Sequence, residues 1–226
     1  MMRGFLLGGI MRLYYFTNEQ YGLEAIRDQR IKISIIKDLN DPFEFTALSL
    51  TGLDQRETLN HIKSGVSENV GIVCLSSSWQ HILMWSHYAD KHRGICLGFD
   101  FQGHVEKVQY DSKFLTAEDL GVTSNEDITN VELAELIRHK SSVWRYEKEY
   151  RLLCPNYEPS AKDPISQIYF LNFSDRFKLK QVILGCNSNL SSLRLKQVLA
   201  SKSKSIRCFR ARPSDVGFKV TKEPIF

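Results

Sequence analysis

The sequence has no two cysteines close enough to form a CxxC motif. Cys74, Cys96, Cys154, Cys186 and Cys208 are odd in number, widely spaced and mostly set in apolar runs. They read as reduced core residues of a cytoplasmic protein, which excludes a disulfide framework and leaves no basis for a structural zinc site. Also missing are a GxxxxGKS or GxxxxGKT phosphate loop, a GxGxxG fingerprint and a GxSxG elbow, so the commonest nucleotide-binding and hydrolase classes are set aside. No run approaches the roughly 18 apolar residues needed to cross a bilayer. The opening MMRGFLLGGI has one Arg, a short apolar patch and no small-residue cleavage site. Residues 1–10 therefore read as an N-terminal extension, disordered or lying before a true start at Met11, and residues 11–226 as a single globular domain. There is no internal repeat and no low-complexity tract.

What is present is the composition of an ordinary globular domain, 42% apolar and 25% charged across 226 residues with a formal charge of +4. The positive charge is uneven: Arg194 to Arg212 holds seven Lys or Arg residues and no acid. Such a run suits a phosphate-bearing partner or a solvated helix face followed by a protected edge strand. Along the chain, MRLYYFT at Met11–Thr17 reads as a strand, and Asn18 caps a helix over about Glu19–Arg27. Arg30–Ile36 alternates as a strand or extended arm and leads to NDPFEF, where Asp41 before Pro42 predicts a rigid turn. Asp54–Val66 reads as a weak amphipathic helix and Val70–Leu75 as a buried strand. A helix is expected over about Gln80–His92, ending at Gly94 as C-cap. Ile95–Phe101 is a second buried strand, with Val105–Tyr110 expected to hairpin back onto it through Gln102 and Gly103. Thr116–Asn130 reads as loop, Val131–His139 as a short helix, Asn156–Pro164 as a linker and Ile165–Asn172 as an edge strand. Lys180–Leu184, a helix near Leu190–Ala200 and Ser205–Arg210 form a strand, helix, strand unit. The fold class is α+β: one domain of antiparallel or mixed sheets flanked by helices.

The densest chemistry lies in WRYEKEYR at Trp144–Arg151. If extended, period-2 alternation puts Arg145, Glu147, Glu149 and Arg151 on one face, with neighbours about 6.5 to 7 Å apart. Like charges at that spacing disfavour double ionisation while the arginines favour it, so one glutamate could be held near a working pKa. If helical, Arg145 with Glu149 and Glu147 with Arg151 become surface ion pairs at i,i+4 spacing. Further candidates are Ser76, Ser77 and Ser78 at the end of a buried strand, which suit ligand binding or helix capping, and Asp41 and Glu44 in the NDPFEF turn. Trp85, His87 and Tyr88 lie on the following helix. His87 and His92 fall about 500° apart around that helix, which argues against a shared metal.

NDPFEF at Asn40, CLSSSW at Cys74, LMWSHYADKHRGICLGFD at Leu83, WRYEKEYR at Trp144 and VILG at Val182 together resemble a bacterial family known only as domain of unknown function twenty-nine seventy-one. The resemblance runs from Leu13 to about Lys219 and implies no established activity. More distantly, a first strand with basic and aromatic residues, a strand ending in serines and a Glu-x-Glu pair resemble the ADP-ribosyltransferase pattern, whose fold is a split sheet. That resemblance implies NAD as substrate, contacted by Arg12 or Tyr14, with Ser76 supporting the nicotinamide pocket and Trp85 and Tyr88 stacking on the departing ring. Glu149 would be the catalytic carboxylate and Glu147 would orient the acceptor, which is left open between protein, nucleic acid and small molecule. His87, Arg151, Asp41 and Glu44 would support the site, with no metal.

Two other functions fit the same residues. One is a non-catalytic ligand-sensing or partner-binding module of a bacterial defence or stress system, in which Glu147, Glu149 and Arg151 form a buried structural network. The other is a metal-dependent nuclease using Asp41, Glu44, Glu147 and Glu149 as magnesium ligands. A transferase predicts a cleft shared by Ser76, Glu149 and either Trp85 or Tyr88. A nuclease predicts Asp41 or Glu44 beside Glu149, and a binding module Glu149 buried against Arg151 with no cleft.

Overall fold

A computed structural model describes residues 9–36, 39–44, 48–49, 64, 70–120, 135–155, 163, 168–200 and 205–226. The expected Asp54–Val66 helix apart from Ser64, the 156–162 stretch of the linker and nearly all of the N-terminal extension lie outside them. The strands are β1 Met11–Thr17, β2 Arg30–Lys32, β3 Ser34–Ile35, β4 Leu48–Ser49, β5 Val70–Ser76, β6 Ile95–Phe101, β7 Glu106–Lys107 and β8 Gln109–Asp111. They continue with β9 Leu115–Thr116, β10 His139–Ser141, β11 Glu149–Pro155, β12 Phe170–Asn172, β13 Phe177–Leu184, β14 Arg207–Pro213 and β15 Val220–Pro224. The helices are α1 Glu19–Asp28, α2 Ile82–Tyr88, α3 Ala117–Leu120 and α4 Ser192–Leu199. Of Thr116–Asn130, expected as a loop, Thr116 ends a short strand and Ala117–Leu120 forms α3, while 121–130 lie outside the described residues.

One large open sheet has the strand order β15-β14-β13-β6-β1-β5-β11-β7, with β3 also paired to β5. It is mixed: β13 and β14, joined through α4, run parallel, and its other pairs among the described residues are antiparallel. The fold class is α+β, with helices on both faces of the sheet. On one face α1 and α4 cover Leu13, Leu97, Phe99 and Leu179, and on the other α2 covers Tyr14, Phe16 and Cys96. That two-sided burial is why β1 and β6 are apolar nearly throughout.

Local chemistry explains the boundaries. Asn18 is extended and its side-chain oxygen accepts from Tyr21 N–H at 2.8 Å, starting α1, which ends where Gln29 turns left-handed at φ 55°. The helix after the serines stops at Tyr88 instead of running to His92, because Asp90, Lys91 and His92 all have positive φ. Gly94 marks a close backbone approach: a Cβ there would lie 2.1 Å from the Thr17 carbonyl oxygen. Gly185 does the same against His92, whose carbonyl oxygen would be 2.0 Å from an added Cβ. The expected hairpin of Val105–Tyr110 onto Ile95–Phe101 does not form. Both edges of β6 are taken, by β1 and by β13, so β7 pairs with β11 instead.

The feature that positions the site is a break in the large sheet. β1 pairs with β6 along its whole length, and β5 pairs with β11 over seven residues, but β1 and β5 meet only at Tyr14 and Ser76. The sheet is therefore two halves joined at one point, at the end of β5, and β1 and β5 part from there.

Candidate functional site

A cleft of about 260 Å³ lies at this opening, lined by Tyr14 on β1, Cys74 and Ser76 on β5, Met84 and Tyr88 on α2, and Asn40, Glu44, Lys140, Glu147 and Glu149. The register aligns three candidates. Tyr14 is opposite Ser76, and Ser76 is opposite Glu149, so the three form one row across β1, β5 and β11. Residues opposite one another across strands share a face.

WRYEKEYR is neither a strand nor an α-helix throughout. Ser142–Glu147 is a 3-10 helix, Lys148 turns left-handed at φ 47°, and β11 begins at Glu149. Neither i,i+4 ion pair forms. Glu149 and Arg151, two apart on the strand, share a face and bond to each other, as the extended reading required. The 3-10 turn folds Glu147 back over the same cleft, while Arg145 points to solvent.

The carboxylates are held by two buried cations. Arg151, with no exposed surface, donates from Nε to Glu149 Oε1 at 2.8 Å, from Nη2 to Glu44 at 2.8 Å and from Nη1 to the Ile137 carbonyl at 2.6 Å. Lys140 Nζ lies 3.0 Å from Glu44, 2.6 Å from Glu147 and 3.1 Å from Glu149. Tyr88 OH donates to Glu147 Oε1 at 2.5 Å and accepts from Asn40 Nδ2 at 3.1 Å. Ser76 Oγ lies 2.5 Å from the Glu147 carbonyl oxygen and accepts from Ser78 N–H, so it pins the glutamate turn to β5.

The electrostatics separate the two glutamates. Burial pushes Glu149 up, but Arg151 and Lys140 outweigh it and hold the carboxyl down at about 2. Glu147 moves the other way: burial, reinforced by the Glu149 charge, raises it against the pull of Lys140. Burial and the neighbouring Glu147 raise the Tyr88 phenol, so it stays a donor. Lys140 remains charged because the attraction of Glu149, Glu44 and Glu147 exceeds the cost of its burial. Burial and Glu149 keep the Cys74 thiol protonated, which makes it a poor nucleophile.

Several sequence candidates fall elsewhere. Trp85 is fully buried, donates from Nε1 to the Trp79 carbonyl at 2.7 Å and packs edge-on against Phe16. It cannot stack on a ligand in the cleft. One position beyond Met84 it is turned about 100° inward, whereas Tyr88, four beyond, returns to the cleft side. Arg12 pairs with Asp100 at 2.6 Å outside the cleft lining, so of the two first-strand candidates only Tyr14 reaches it. Asp41 is buried, accepts from Phe43 N–H at 2.9 Å and serves the turn rather than the cleft. His87 is exposed among Tyr88, Trp144 and Tyr146. Glu44 does come beside Glu149, but the Lys140 ammonium occupies the centre of the three carboxylates, where a cation would sit. Among the described residues no group of three or more His, Cys, Asp or Glu is arranged to hold a metal ion, and no helix is long and apolar enough to cross a membrane.

Lys140 and Asn40 are the site residues that sequence reasoning missed. Asn40 was visible in NDPFEF, but only as a turn former. Lys140 stands four residues before WRYEKEYR, where a lone lysine after a short helix carries no signal until three carboxylates converge on it. A search of curated protein sequences and of solved structures finds no match. Over residues 84–152, a stretch that contains Tyr88, Lys140, Glu147, Glu149 and Arg151, the chain matches the model of a family described as Protein of unknown function (DUF2971).

Proposed function

We propose that the chain is an ADP-ribosyltransferase-like enzyme that takes NAD as substrate in the cleft at the break of the sheet. The observation that carries this reading is the row Tyr14, Ser76, Glu149, three positions that the resemblance assigns to NAD contact, pocket support and catalysis. The cleft volume of about 260 Å³ is below the roughly 300–1,000 Å³ usual for a whole drug-sized ligand. It suits the nicotinamide and its ribose, with Tyr14 and Tyr88 beside the ring. The remainder of the dinucleotide would lie in the open polar groove that shares Phe16 and Tyr88 with the cleft and continues to Asn18 and Gln20.

In this reaction the bond between the ribose C1 and the nicotinamide nitrogen breaks, and its electron pair leaves with nicotinamide. Positive charge develops on the ribose. Glu149, ionised at all physiological pH, opposes it with a fixed negative charge that needs no reorganisation. The acceptor then bonds to C1 and surrenders a proton, for which Glu147, the more basic carboxylate, is the receiver. Arg151 and Lys140 orient Glu149 and also attenuate its field.

That attenuation favours a second reading, a ligand-sensing module, because both oxygens of Glu149 already have cationic donors. Nicotinamide release separates the two. Purified protein should release nicotinamide from NAD, and Glu149→Gln, folded by circular dichroism, should lower the rate at least about 100-fold, or about 2.7 kcal/mol of transition-state stabilisation. Binding of NAD without release by either protein supports the sensor, and no binding at millimolar NAD rejects the transferase.

A further inference from the structure

Next to the cleft, the 3-10 helix Ser142–Glu147 carries two kinds of side chain on adjoining surfaces. Towards α2 it presents rings. His81 stacks on Tyr146 with centroids 5.1 Å apart, Tyr146 and Trp144 are 5.9 Å apart, and His87 is 6.4 Å from Trp144 and 6.2 Å from Tyr146. Away from α2 it borders a groove of about 480 Å³ lined by Lys107, Arg145, Lys148, Ser77, Tyr110 and Tyr150. The two surfaces adjoin, since Tyr146 of the ring face and Arg145 and Lys148 of the groove belong to one turn.

The groove is positive. Lys107, Arg145 and Lys148 are exposed, and among the described residues none of the three has an ion-pair partner. The acids nearby among the described residues are already engaged. Glu106 pairs with Arg138 and His104, Asp90 with Arg93, and Asp111 accepts from the backbone N–H groups of Ser112 and Lys113. Glu149, which also lines the groove, has its carboxylate turned into the Arg151 and Lys140 network. Packing of the turn against α2 accounts for the His81–Tyr146 stack but not for three unpaired cations along one groove.

We propose that this surface binds single-stranded nucleic acid, with backbone phosphates along Lys107, Arg145 and Lys148 and bases against Trp144, Tyr146 and His87. Rings beside a basic track are what unpaired bases need, because each base offers a π-face and each linkage a charge. A paired duplex hides its base faces and gains only the charges. The mouth of the cleft lies beside these rings, since Tyr88 touches His87 and lines the cleft. The proposal stands whether or not NAD is turned over, because the binding is read without NAD.

The test is fluorescence anisotropy of a labelled single strand of about twelve nucleotides, as DNA and as RNA, against the hairpin duplex of the same sequence. Three phosphate contacts give a log–log salt slope near −2 for a single strand, so affinity should fall roughly twentyfold between 50 and 200 mM salt. Arg145→Ala with Lys148→Ala, both exposed, should bring the slope to about −0.7. Trp144→Ala should weaken binding about fivefold or more with the slope unchanged, and Trp144→Phe should restore most of it, which a merely destabilised fold would not do. Absence of binding at about 50 mM salt, equal affinity for the duplex, or a double variant that binds as wild type does would each overturn the proposal.

Discussion

The two halves of the sheet are built on opposite principles. The half containing β6 and β13 is a long ladder, with one register shift between Leu179 and Gln181, over an apolar core in which Phe99 stacks on Phe177 at 4.1 Å and touches Phe173 at 4.9 Å. The half containing β5 and β11 faces the cleft with three carboxylates and two cations, which leaves one excess negative charge buried among Cys74, Ser76 and Tyr88. Non-directional burial stabilises the first, and mutual satisfaction of desolvated charges maintains the second. The lesson is that the polar half is held by a few interactions that cannot be removed singly, whereas the apolar half depends on shape and volume.

The largest expected effect tests that contrast directly. Arg151→Ala leaves Glu44 and Glu149 with one cation between them and should cost about 3–5 kcal/mol. Phe99→Ala should cost a similar 3–5 kcal/mol by opening a cavity. The two should differ in repair: Arg151→Ala recovers when Glu149→Gln and Glu44→Gln are added, while no change at the cleft restores Phe99→Ala. Urea unfolding of the single and combined variants gives both numbers. Additivity of the cleft substitutions would show that the network is not a unit.

Next in size is the response to acid. Glu149 is held at about 2, below its ordinary value near 4.5, so its contribution to stability is fully present above 4.5 and is lost as pH falls through that window towards 2. Glu147 is raised and acts in the opposite sense, its cost to stability growing as pH rises past 4.5. Urea midpoints between pH 6 and pH 2.5 should therefore fall more steeply for wild type than for Glu149→Gln. Equal slopes would mean that Glu149 gains nothing from Arg151 and Lys140. The smallest effect lies in the apolar half, where Asn18→Ala removes the cap of α1 and should cost about 1 kcal/mol in a thermal or urea melt.

The sequence was most legible where local chemistry and fold agree. β1 has the predicted boundaries because alternation ends at Asn18, a capping residue, and the strand, helix, strand unit of β13, α4 and β14 is visible because an apolar strand, a serine-capped helix and an alternating basic and apolar strand follow one another across turns. The glutamate segment was legible as a place but not as a shape, because a 3-10 turn that switches to strand at a left-handed Lys148 has neither a period of 2 nor one of 3.6. Glu44 was visible as a candidate, but its bond to Arg151 spans 107 positions and no local pattern encodes it. Trp85 misled because stacking chemistry was assigned by residue type, while the turn of α2 had already sent it into the core.

The close approaches at Gly94 and Gly185 bear on how the chain tolerates change. At that end of the sheet the carbonyls of Thr17 and His92 leave no space for even a methyl group, so a saturation library should return only glycine at both positions, and neither connection can be altered without moving the other. At the far side, where β1 and β5 touch through one pair, the described residues show no comparable lock. Substitution should therefore be tolerated more readily on the cleft side, with the glycine-locked end as the fixed frame around it.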